Sequence, residues 1–185
     1  MDQSANADSD LVERLAAGEQ AALSIAFDRH AAAVTRYAWA LLPNRMDVEE
    51  AVQDTFHTLW RKADEIELPS ASLLPWLLVT CRNFALNQGR KNARHNALPF
   101  DAGVTGSDEP AERLEAREAR EQLRWVLEEL TRLQPIDRQV CELCLIEGRS
   151  YAEAALIAGI SVGAVKQRVS RSRARLRKAV IGDED

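Results

Sequence analysis

The sequence has few of the features on which catalysis or metal binding depends. No glycine-rich phosphate loop and no nucleophile motif occurs in it. Its three histidines are scattered along the chain, and paired carboxylates such as Glu128 and Glu129 are adjacent and would point to different faces of a helix. We therefore predict that the protein is not an enzyme and has no catalytic residue, metal site or cofactor.

Cysteine is also scarce. An odd number of cysteines, Cys81, Cys141 and Cys144, cannot all pair, and their spacing offers no disulfide framework. Cys141 and Cys144 have a Cys-x-x-Cys spacing, but no second pair of ligands lies nearby to complete a zinc site. Because both fall within an apolar helical stripe, core packing is favoured over metal or redox work. His30, on an apolar helix face, is likewise predicted to be a packed core residue.

Long hydrophobic runs and alternating strand patterns are missing. The longest apolar run, Leu73–Val79, is too short to cross a bilayer, and the first ten residues, 1–10, are polar and acidic. These features predict a cytoplasmic protein without membrane insertion. Apolar residues recur instead at intervals of three and four, which indicates an all-α protein.

The chain is acidic, with a formal net charge of −5, but its charges are unevenly distributed. Basic residues concentrate in 82–94 and 166–178, whereas acidic residues dominate 47–54 and 101–121. Affinity for phosphates depends on a local basic patch rather than on the total charge. The composition is therefore compatible with a nucleic-acid-binding protein that also has a basic protein partner.

In the first half of the chain, the pattern predicts four helices. They are expected at Leu11–Ala17 after an Asp10 cap, Glu19–Leu42, Asp47 to about Ala63 with Asp47 and Glu50 as a capping pair, and Leu73 to about Lys91 after a Ser72 cap. The last of these begins almost wholly apolar and ends basic. Its end is either a solvated tail of a core helix or a surface that touches nucleic acid.

Helical periodicity disappears after this helix. Residues 96–112 are rich in proline, glycine and acids, which is typical of a linker. We therefore predict two small helical bundles, residues 1–95 and 113–185, joined by an acidic flexible linker.

The C-terminal bundle contains the pattern of a helix-turn-helix. Ser150 and Glu153 fit a capping box, Gly159 suits a left-handed helix end, and Ser161 can cap the next helix. One narrow, mostly apolar face of that next helix is formed by Val165, Val169, Ser172 and Leu176.

The other faces of this last helix are basic. No acidic residue occurs between Ser161 and Val180. A capped helix, a glycine turn and a basic second helix are typical of a motif that presents its second helix to DNA. The alternative is a solvated basic helix at the end of the chain.

Three stretches in order resemble one protein family. Residues 47–60 (DVEEAVQDTFHTLW) resemble region 2.2 of bacterial sigma factors of the extracytoplasmic-function group, which is group 4 of the sigma-70 family. Residues 75–87 (PWLLVTCRNFALN), with Arg90, resemble regions 2.3 and 2.4, and residues 130–178 resemble region 4. The resemblance implies a transcription-initiation subunit with a region 2 domain and a region 4 helix-turn-helix.

The resemblance also implies partners. Region 2.2 would dock on the clamp helices of the largest subunit of core RNA polymerase, region 4 would meet the flap of the second-largest subunit, and an anti-sigma factor would control the protein. The candidate polymerase contacts, carried over by position, are Glu50, Gln53, Asp54, Leu59 and Trp60.

Promoter DNA is the other implied partner. In the −10 role, a loop at 64–74 would hold an extruded base, and the candidate contacts to the melted strand are Arg82, Asn83, Asn87, Arg90 and Lys91. In the −35 role, the candidates are Ser161, Lys166, Gln167, Arg168, Ser170, Arg171, Arg173 and Arg175. Among these, Lys166, Gln167, Ser170 and Arg171 are expected at base edges, and Arg168, Arg173 and Arg175 at phosphates.

Two other classes of protein remain open from the residues alone. One is a helix-turn-helix repressor or activator that binds duplex DNA without polymerase, against which the acidic and aromatic helix at 47–60 argues. The other is an interaction module or an enzyme with a site formed only in the folded helices.

Overall fold

The computed structural model of the chain describes residues 3–66, 68, 72–95 and 110–181, and side chains from residue 8 to residue 176 except 89–109 within these ranges. These residues form helices and no strand, which confirms the all-α prediction. The helices are α1 Gln3–Ala16, α2 Gln20–Leu41, α3 Arg45–Arg61, α4 Leu74–His95, α5 Pro110–Thr131, α6 Pro135–Cys141, α7 Tyr151–Ala158 and α8 Val162–Ile181. A short 3-10 helix covers Ala63–Glu65, and a π-helical turn, Glu142–Ile146, extends α6.

The chain divides into two compact units, Met1–Arg120 and Glu121–Asp185. This division falls within α5, whereas the sequence predicts a boundary in residues 96–112, of which 96–109 lie outside the described residues. Compactness does not test which segments fold independently, so the predicted limits 1–95 and 113–185 remain a prediction.

In the first unit, α2, α3 and α4 pack against one another around one apolar core. The fully buried side chains that join them include Val34, Val48, Leu59, Leu77 and Cys81, each at most 1% exposed. Helix α1 covers α2 and the 3-10 helix. Helices α1 to α4 are stabilised chiefly by burial of their apolar faces in this core, because an isolated helix is only marginally stable in water.

The first half of α5 also belongs to this unit. Ala116 and Ala119 are each 4% exposed within the same apolar core. The Arg120 guanidinium donates a hydrogen bond to the Leu42 carbonyl at 3.1 Å, and Arg45 forms an ion pair with Glu112 at 3.2 Å. The Arg120 bond satisfies a carbonyl at the end of α2 that has no partner within its own helix.

The starts of α1, α3 and α4 differ from the sequence prediction. Helix α4 begins at Leu74 and Leu73 is its cap residue, so the predicted Ser72 cap is wrong. Helix α1 begins at Gln3, so Asp10 lies inside it rather than at its cap. Helix α3 begins at Arg45, and the cap is Asn44, whose side-chain oxygen accepts from the Asp47 amide at 2.9 Å. The predicted Asp47–Glu50 capping pair is therefore wrong, because asparagine three residues earlier makes the same type of bond.

In the second unit, α6, α7 and α8 enclose a smaller core. Its most buried members include Val140, Ala154 and Val165, each 0% exposed, and Cys141, also 0% exposed, packs beside it with Leu130 and Leu133. Pro135 lies in the first turn of α6, where its missing amide hydrogen costs nothing. The core holds α8 against the other two helices along one face.

Candidate nucleic-acid interface and partner surfaces

The turn between α7 and α8 is fixed by local hydrogen bonds. The Glu153 amide donates to Ser150 Oγ at 3.2 Å, and the Ser150 amide donates to Glu153 Oε2 at 2.8 Å. These bonds hold the pKa of the Glu153 carboxyl below its ordinary value, chiefly through the Ser150 amide. Gly159 has the left-handed φ of 66°, and the Ala164 amide donates to Ser161 Oγ at 3.2 Å. The predicted capping box, glycine turn and second cap are all confirmed.

Helix α8 has one buried face and one exposed face. Val165, Val169 and Ser172 are at most 4% exposed, and Leu176 packs against the same unit, which confirms the predicted apolar face. The opposite face presents exposed side chains at Lys166, Gln167, Ser170 and Arg171. A capped helix with its back packed and a polar row facing solvent has the geometry that major-groove recognition requires.

The remaining cations of α8 have different surroundings. Arg175 is exposed and Arg173 is half-buried. Arg168 is half-buried and donates through Nη1 to Asp137 Oδ1 of α6 at 2.7 Å. This ion pair joins α8 to α6, which gives Arg168 a structural role. The assignment of Arg168 to phosphate contact remains a prediction. Ser161 is exposed, and its side-chain oxygen accepts the capping hydrogen bond from the Ala164 amide.

Helix α4 carries the candidate −10 residues. Asn83 and Asn87 are exposed one turn apart, so they share a face. Arg82 is half-buried beside Tyr37, whose hydroxyl pKa is raised by burial and lowered in part by the Arg82 charge. Arg90 and Lys91 continue the helical backbone, but their side chains lie outside those described.

Helix α3 carries the candidate polymerase contacts. Glu50 and Gln53 are exposed, and Asp54 and Trp60 are half-buried. Leu59 is 0% exposed and packs in the core, so its side chain is not part of this surface. The sequence could not separate Leu59 from its exposed neighbours, because the apolar stripe and the partner-facing stripe run next to each other on one short helix.

Between α2 and α3 lies an open groove, here called the α2–α3 groove. Its volume is about 1030 Å³. Its apolar lining consists of Leu23, Phe27, Val48, Val52 and Phe56, of which Val48, Val52 and Phe56 are at most 8% exposed, and its polar lining includes Asp28, Glu49, Gln53, Asp54 and His57. Phe27 is 45% exposed, with its ring centroid 4.9 Å from that of Phe56. An apolar surface with carboxylates at its edge fits a partner helix that has an apolar face flanked by basic residues.

Two residues that hold these helices in place were not found by sequence reasoning. Gln88 on α4 donates through Nε2 to Glu50 Oε2 at 2.8 Å and to Asp47 Oδ1 at 3.2 Å. It thereby links the helix of the candidate polymerase contacts to the helix of the candidate −10 contacts. The sequence signal that could have pointed to Gln88 is its position next to Asn87, a candidate −10 contact. Asp8 of α1 gave no signal, because its partners lie 21 or more residues away in the chain.

The cysteines pack in the cores. Cys81 and Cys141 are 0% exposed and Cys144 is 6% exposed, which confirms the prediction of core packing. Burial raises the pKa of both the Cys81 and the Cys144 thiol to about 11, so these groups are protonated at neutral pH. Within the described ranges, no cluster of His, Cys, Asp and Glu side chains has the composition of a metal site.

His30 is buried, as the sequence predicts. None of the described helices combines the length and the apolar character that a membrane span needs.

Comparison with known proteins gives two family matches. Residues 26–95 match the family described as sigma-70 region 2, and residues 123–176 match the family described as sigma-70, region 4. The first match spans α3 and α4, and the second spans α6, α7 and most of α8.

Relatives match over most of the chain. The sequence is 32% identical over 177 residues to the RNA polymerase sigma factor NccH of Alcaligenes xylosoxydans xylosoxydans, covering 91% of this chain and 92% of that protein. It is 31% identical to the RNA polymerase sigma factor CnrH of Cupriavidus metallidurans, covering 97% of each. It is 28% identical over 158 residues to the ECF RNA polymerase sigma factor SigL of Mycobacterium tuberculosis, covering 85% of this chain and 88% of that protein.

Solved structures show similar chains. CnrH in complex with the cytosolic domain of CnrY matches with a TM-score of 0.44 and 28% identity, over 97% of this chain and 99% of that one. The sigma factor RpoE of Bartonella quintana, in complex with the anti-sigma factor NepR, matches with a TM-score of 0.37 and 25% identity, over 88% of this chain and 98% of that one.

Proposed function

The chain belongs to the sigma-70 family, in its group of extracytoplasmic-function sigma factors, and we propose that it binds core RNA polymerase, recognises −35 and −10 promoter elements and promotes DNA melting. Sigma factors are not enzymes, because the polymerase supplies the chemistry. The observation that carries the promoter assignment is the exposed row on α8, presented by a packed and doubly capped helix-turn-helix.

In the −35 role, α8 enters the major groove of duplex DNA. Arg171 and Lys166 can bind the acceptors of guanine, and Gln167 can bind adenine with two hydrogen bonds. Arg173 and Arg175 lie at the edges of this row and are placed to bind phosphates. The acidic remainder of the chain keeps its affinity for DNA low in the absence of polymerase.

In the −10 role, the exposed face of α4 meets the melted strand. Asn83 and Asn87 each offer one acceptor and two donors, which suits the edges of unstacked bases. Arg82, with Arg90 and Lys91 farther along the helix, supplies the positive charge that follows the backbone of a single strand. The segment 64–74 holds the extruded base.

Core polymerase binds to α3 and to the α2–α3 groove. Glu50, Gln53 and Asp54 offer acidic and polar contacts, while Phe27 and Trp60 offer apolar area that is only partly covered in the free protein. Such a mixture of aromatic and charged groups is typical of a protein interface. The second unit contacts the flap of the second-largest subunit.

An anti-sigma factor controls the protein by covering the same α2–α3 groove. The support is physical: a segment that occupies the apolar part of the groove necessarily excludes a polymerase helix from it. We expect both partners to be met in the cytoplasm, where the bacterial polymerase and chromosome are found.

The test is run-off transcription with core bacterial RNA polymerase on a library of promoter fragments, with and without this protein. Transcripts that require both components support the proposal and identify the −35 and −10 sequences. Tight binding of the protein alone to a palindromic duplex, without any polymerase-dependent transcript, contradicts it and favours a repressor.

A further inference from the structure

Asp8 is a buried carboxylate that the proposed function does not use. It lies on α1, before the sigma-70 region 2 match begins at residue 26, and it is 3% exposed. A charge is buried in a protein only where paired groups compensate for its lost hydration. The partners of Asp8 therefore indicate what it holds in place.

These partners belong to two other parts of the chain. Asp8 Oδ2 accepts from the Leu73 amide at 2.9 Å, and Oδ1 accepts from Arg29 Nη1 at 2.5 Å. His30 Nε2 lies 3.3 Å from the same carboxylate. Arg29 and His30 are on α2, while Leu73 directly precedes α4. One side chain of α1 thus joins α2 to the beginning of the helix that carries Asn83 and Asn87.

The Leu73 amide is a special donor. The Leu77 amide donates to the Leu73 carbonyl at 3.1 Å, so Leu73 is the cap residue of α4, and its own amide has no acceptor within the helix. The next amide, that of Leu74, donates to Ser72 Oγ over a longer distance of 3.4 Å. Asp8 therefore supplies an N-terminal cap from a distant helix, and its negative charge favours that end of the α4 dipole.

We propose that Asp8 is a positioning residue for −10 recognition, because its carboxylate fixes the start of α4 and with it the direction in which Asn83 and Asn87 face the DNA. The inference rests on the proposed function of α4. A helix behaves as a rod, and Asn87 lies about 20 Å along the axis from the first residue of α4. A small tilt at the fixed end therefore moves the far asparagine out of hydrogen-bonding range of a base.

The same contact lies at the end of the segment 64–74 proposed above to hold an extruded base, of which residues 67 and 69–71 lie outside the described residues. Leu73 is the point at which this segment joins α4, and its side chain is 0% exposed. The carboxylate of Asp8 and the apolar packing of Leu73 together fix that junction. Loss of the carboxylate alone leaves the apolar packing of Leu73 in place, so substitution of Asp8 tests how the carboxylate orients α4.

The experiment measures −10 base preference in mixed-template transcription. Full-length wild-type protein and the variants Asp8→Asn and Asp8→Ala are assembled with core polymerase and given, in one tube, promoters that differ at single −10 or −35 positions. Ratios between templates do not depend on how much protein is folded, since every template competes for the same holoenzyme. We expect both variants to reduce the −10 preference by at least about fivefold, the smallest ratio that one mismatched base pair typically produces, with the −35 preference unchanged.

Matched controls separate positioning from stability. Leu11→Ala removes a buried side chain of the same helix without touching the carboxylate, and Asp10→Asn removes an exposed carboxylate of α1. We expect Leu11→Ala to lower total transcript and thermal stability while leaving the ratios unchanged, and Asp10→Asn to change neither. If the Asp8 variants fail to fold, Arg29→Met gives the same comparison, with a smaller expected loss of −10 preference.

Unchanged −10 ratios in the Asp8 variants that fold, or in Arg29→Met if neither does, overturn the proposal and leave Asp8 a stabilising residue only. Equal loss of −10 preference in Leu11→Ala also overturns it, since any loosening of α1 would then suffice. Absence of transcript with the wild-type protein contradicts the sigma-factor mechanism itself and removes this inference with it.

Discussion

At the scale of single residues, the surroundings of a side chain separate positions that the sequence analysis assigns to the same surface. Leu59 and Gln53 are both on α3, but the former is fully buried and the latter exposed. Arg168 and Arg171 are both on α8, but the former is engaged by a carboxylate of another helix, whereas the latter is exposed. Candidate contact residues on one helix therefore call for different tests.

Arg171→Ala is expected to change base preference at one −35 position. Its exposed guanidinium can make two hydrogen bonds to a guanine, and losing such a pair costs about 1–3 kcal/mol of discrimination. The measurement is transcription from promoters that carry each base at each −35 position. A uniform loss across all variants would identify Arg171 as a phosphate contact instead.

Arg168→Ala is the matched comparison. Removing it leaves Asp137 without its partner in a half-buried site, so we expect a lower Tm and weaker −35 binding with no change of base preference. Thermal denaturation and the same promoter set check both parts. A preference change with unaltered Tm would return Arg168 to the DNA-contacting set.

The pKa of Asp8 gives a prediction about pH. Burial acts to raise this pKa, but the Leu73 amide and the Arg29 and His30 side chains outweigh it and hold it below its ordinary value of 3.8. A lowered carboxyl pKa contributes stability that is present above the ordinary pKa and is lost as pH falls through the folded-state pKa.

The difference in unfolding free energy between wild type and Asp8→Asn should therefore shrink as the pH falls below about 4. Urea denaturation at a series of pH values measures it. A difference that grows on acidification would show that the carboxylate is not stabilised by these partners.

At the scale of helices, local signals can be predicted from the sequence and distant ones cannot. The capping box at Ser150 and the left-handed Gly159 follow from residues within a few positions of each other, and the sequence contains the whole motif. The predicted start of α3 is wrong because Asn44, directly after Pro43, is as typical of a helix break as of a cap. The Asp8–Leu73 bond joins residues 65 positions apart, and no periodicity encodes it.

Ser150→Ala should weaken the second unit. Loss of an N-cap typically costs about 0.5–2 kcal/mol, because an amide of the first turn loses its acceptor. Ser170→Ala, an exposed serine within α8, is the control and should change stability little. Chemical denaturation followed by far-UV circular dichroism compares them, and equal effects would mean that the cap contributes nothing.

The polymerase surface of α3 is tested by Gln53→Ala combined with Asp54→Ala. Both side chains are at least partly exposed, so we expect unchanged helicity and Tm but at least about a tenfold loss of affinity for core polymerase, or ~1.4 kcal/mol. Lys62→Ala, an exposed residue after the end of α3, is the control. Unchanged affinity in the double variant would contradict the assignment of α3.

At the scale of the whole molecule, the uneven distribution of charge matters more than its sum. A chain of net charge −5 is repelled by DNA at long range, yet α8 offers a local cationic surface. The two properties together fit a protein that needs a polymerase to reach its promoter.

Salt dependence measures how many of these cations meet phosphate. Arg175→Ala should reduce the slope of log affinity against log salt by about one for the polymerase complex, equally for all promoter sequences. Filter binding at a series of salt concentrations gives the slope. An unaltered slope would place Arg175 away from the DNA backbone.

The ion pair between Asp137 and Arg168 has a consequence for how the sequence can change over time. Each charge stabilises the other at the junction of α6 and α8, so a substitution at one position leaves an unmatched charge at the other. Among homologues, the two positions should therefore change together, as pairs of complementary or uncharged residues. The exposed side chains of Lys166, Gln167 and Arg171 on α8 are under no such mutual constraint. We therefore expect recognition of a new promoter to evolve through these three positions while the ion pair that supports α8 stays as it is.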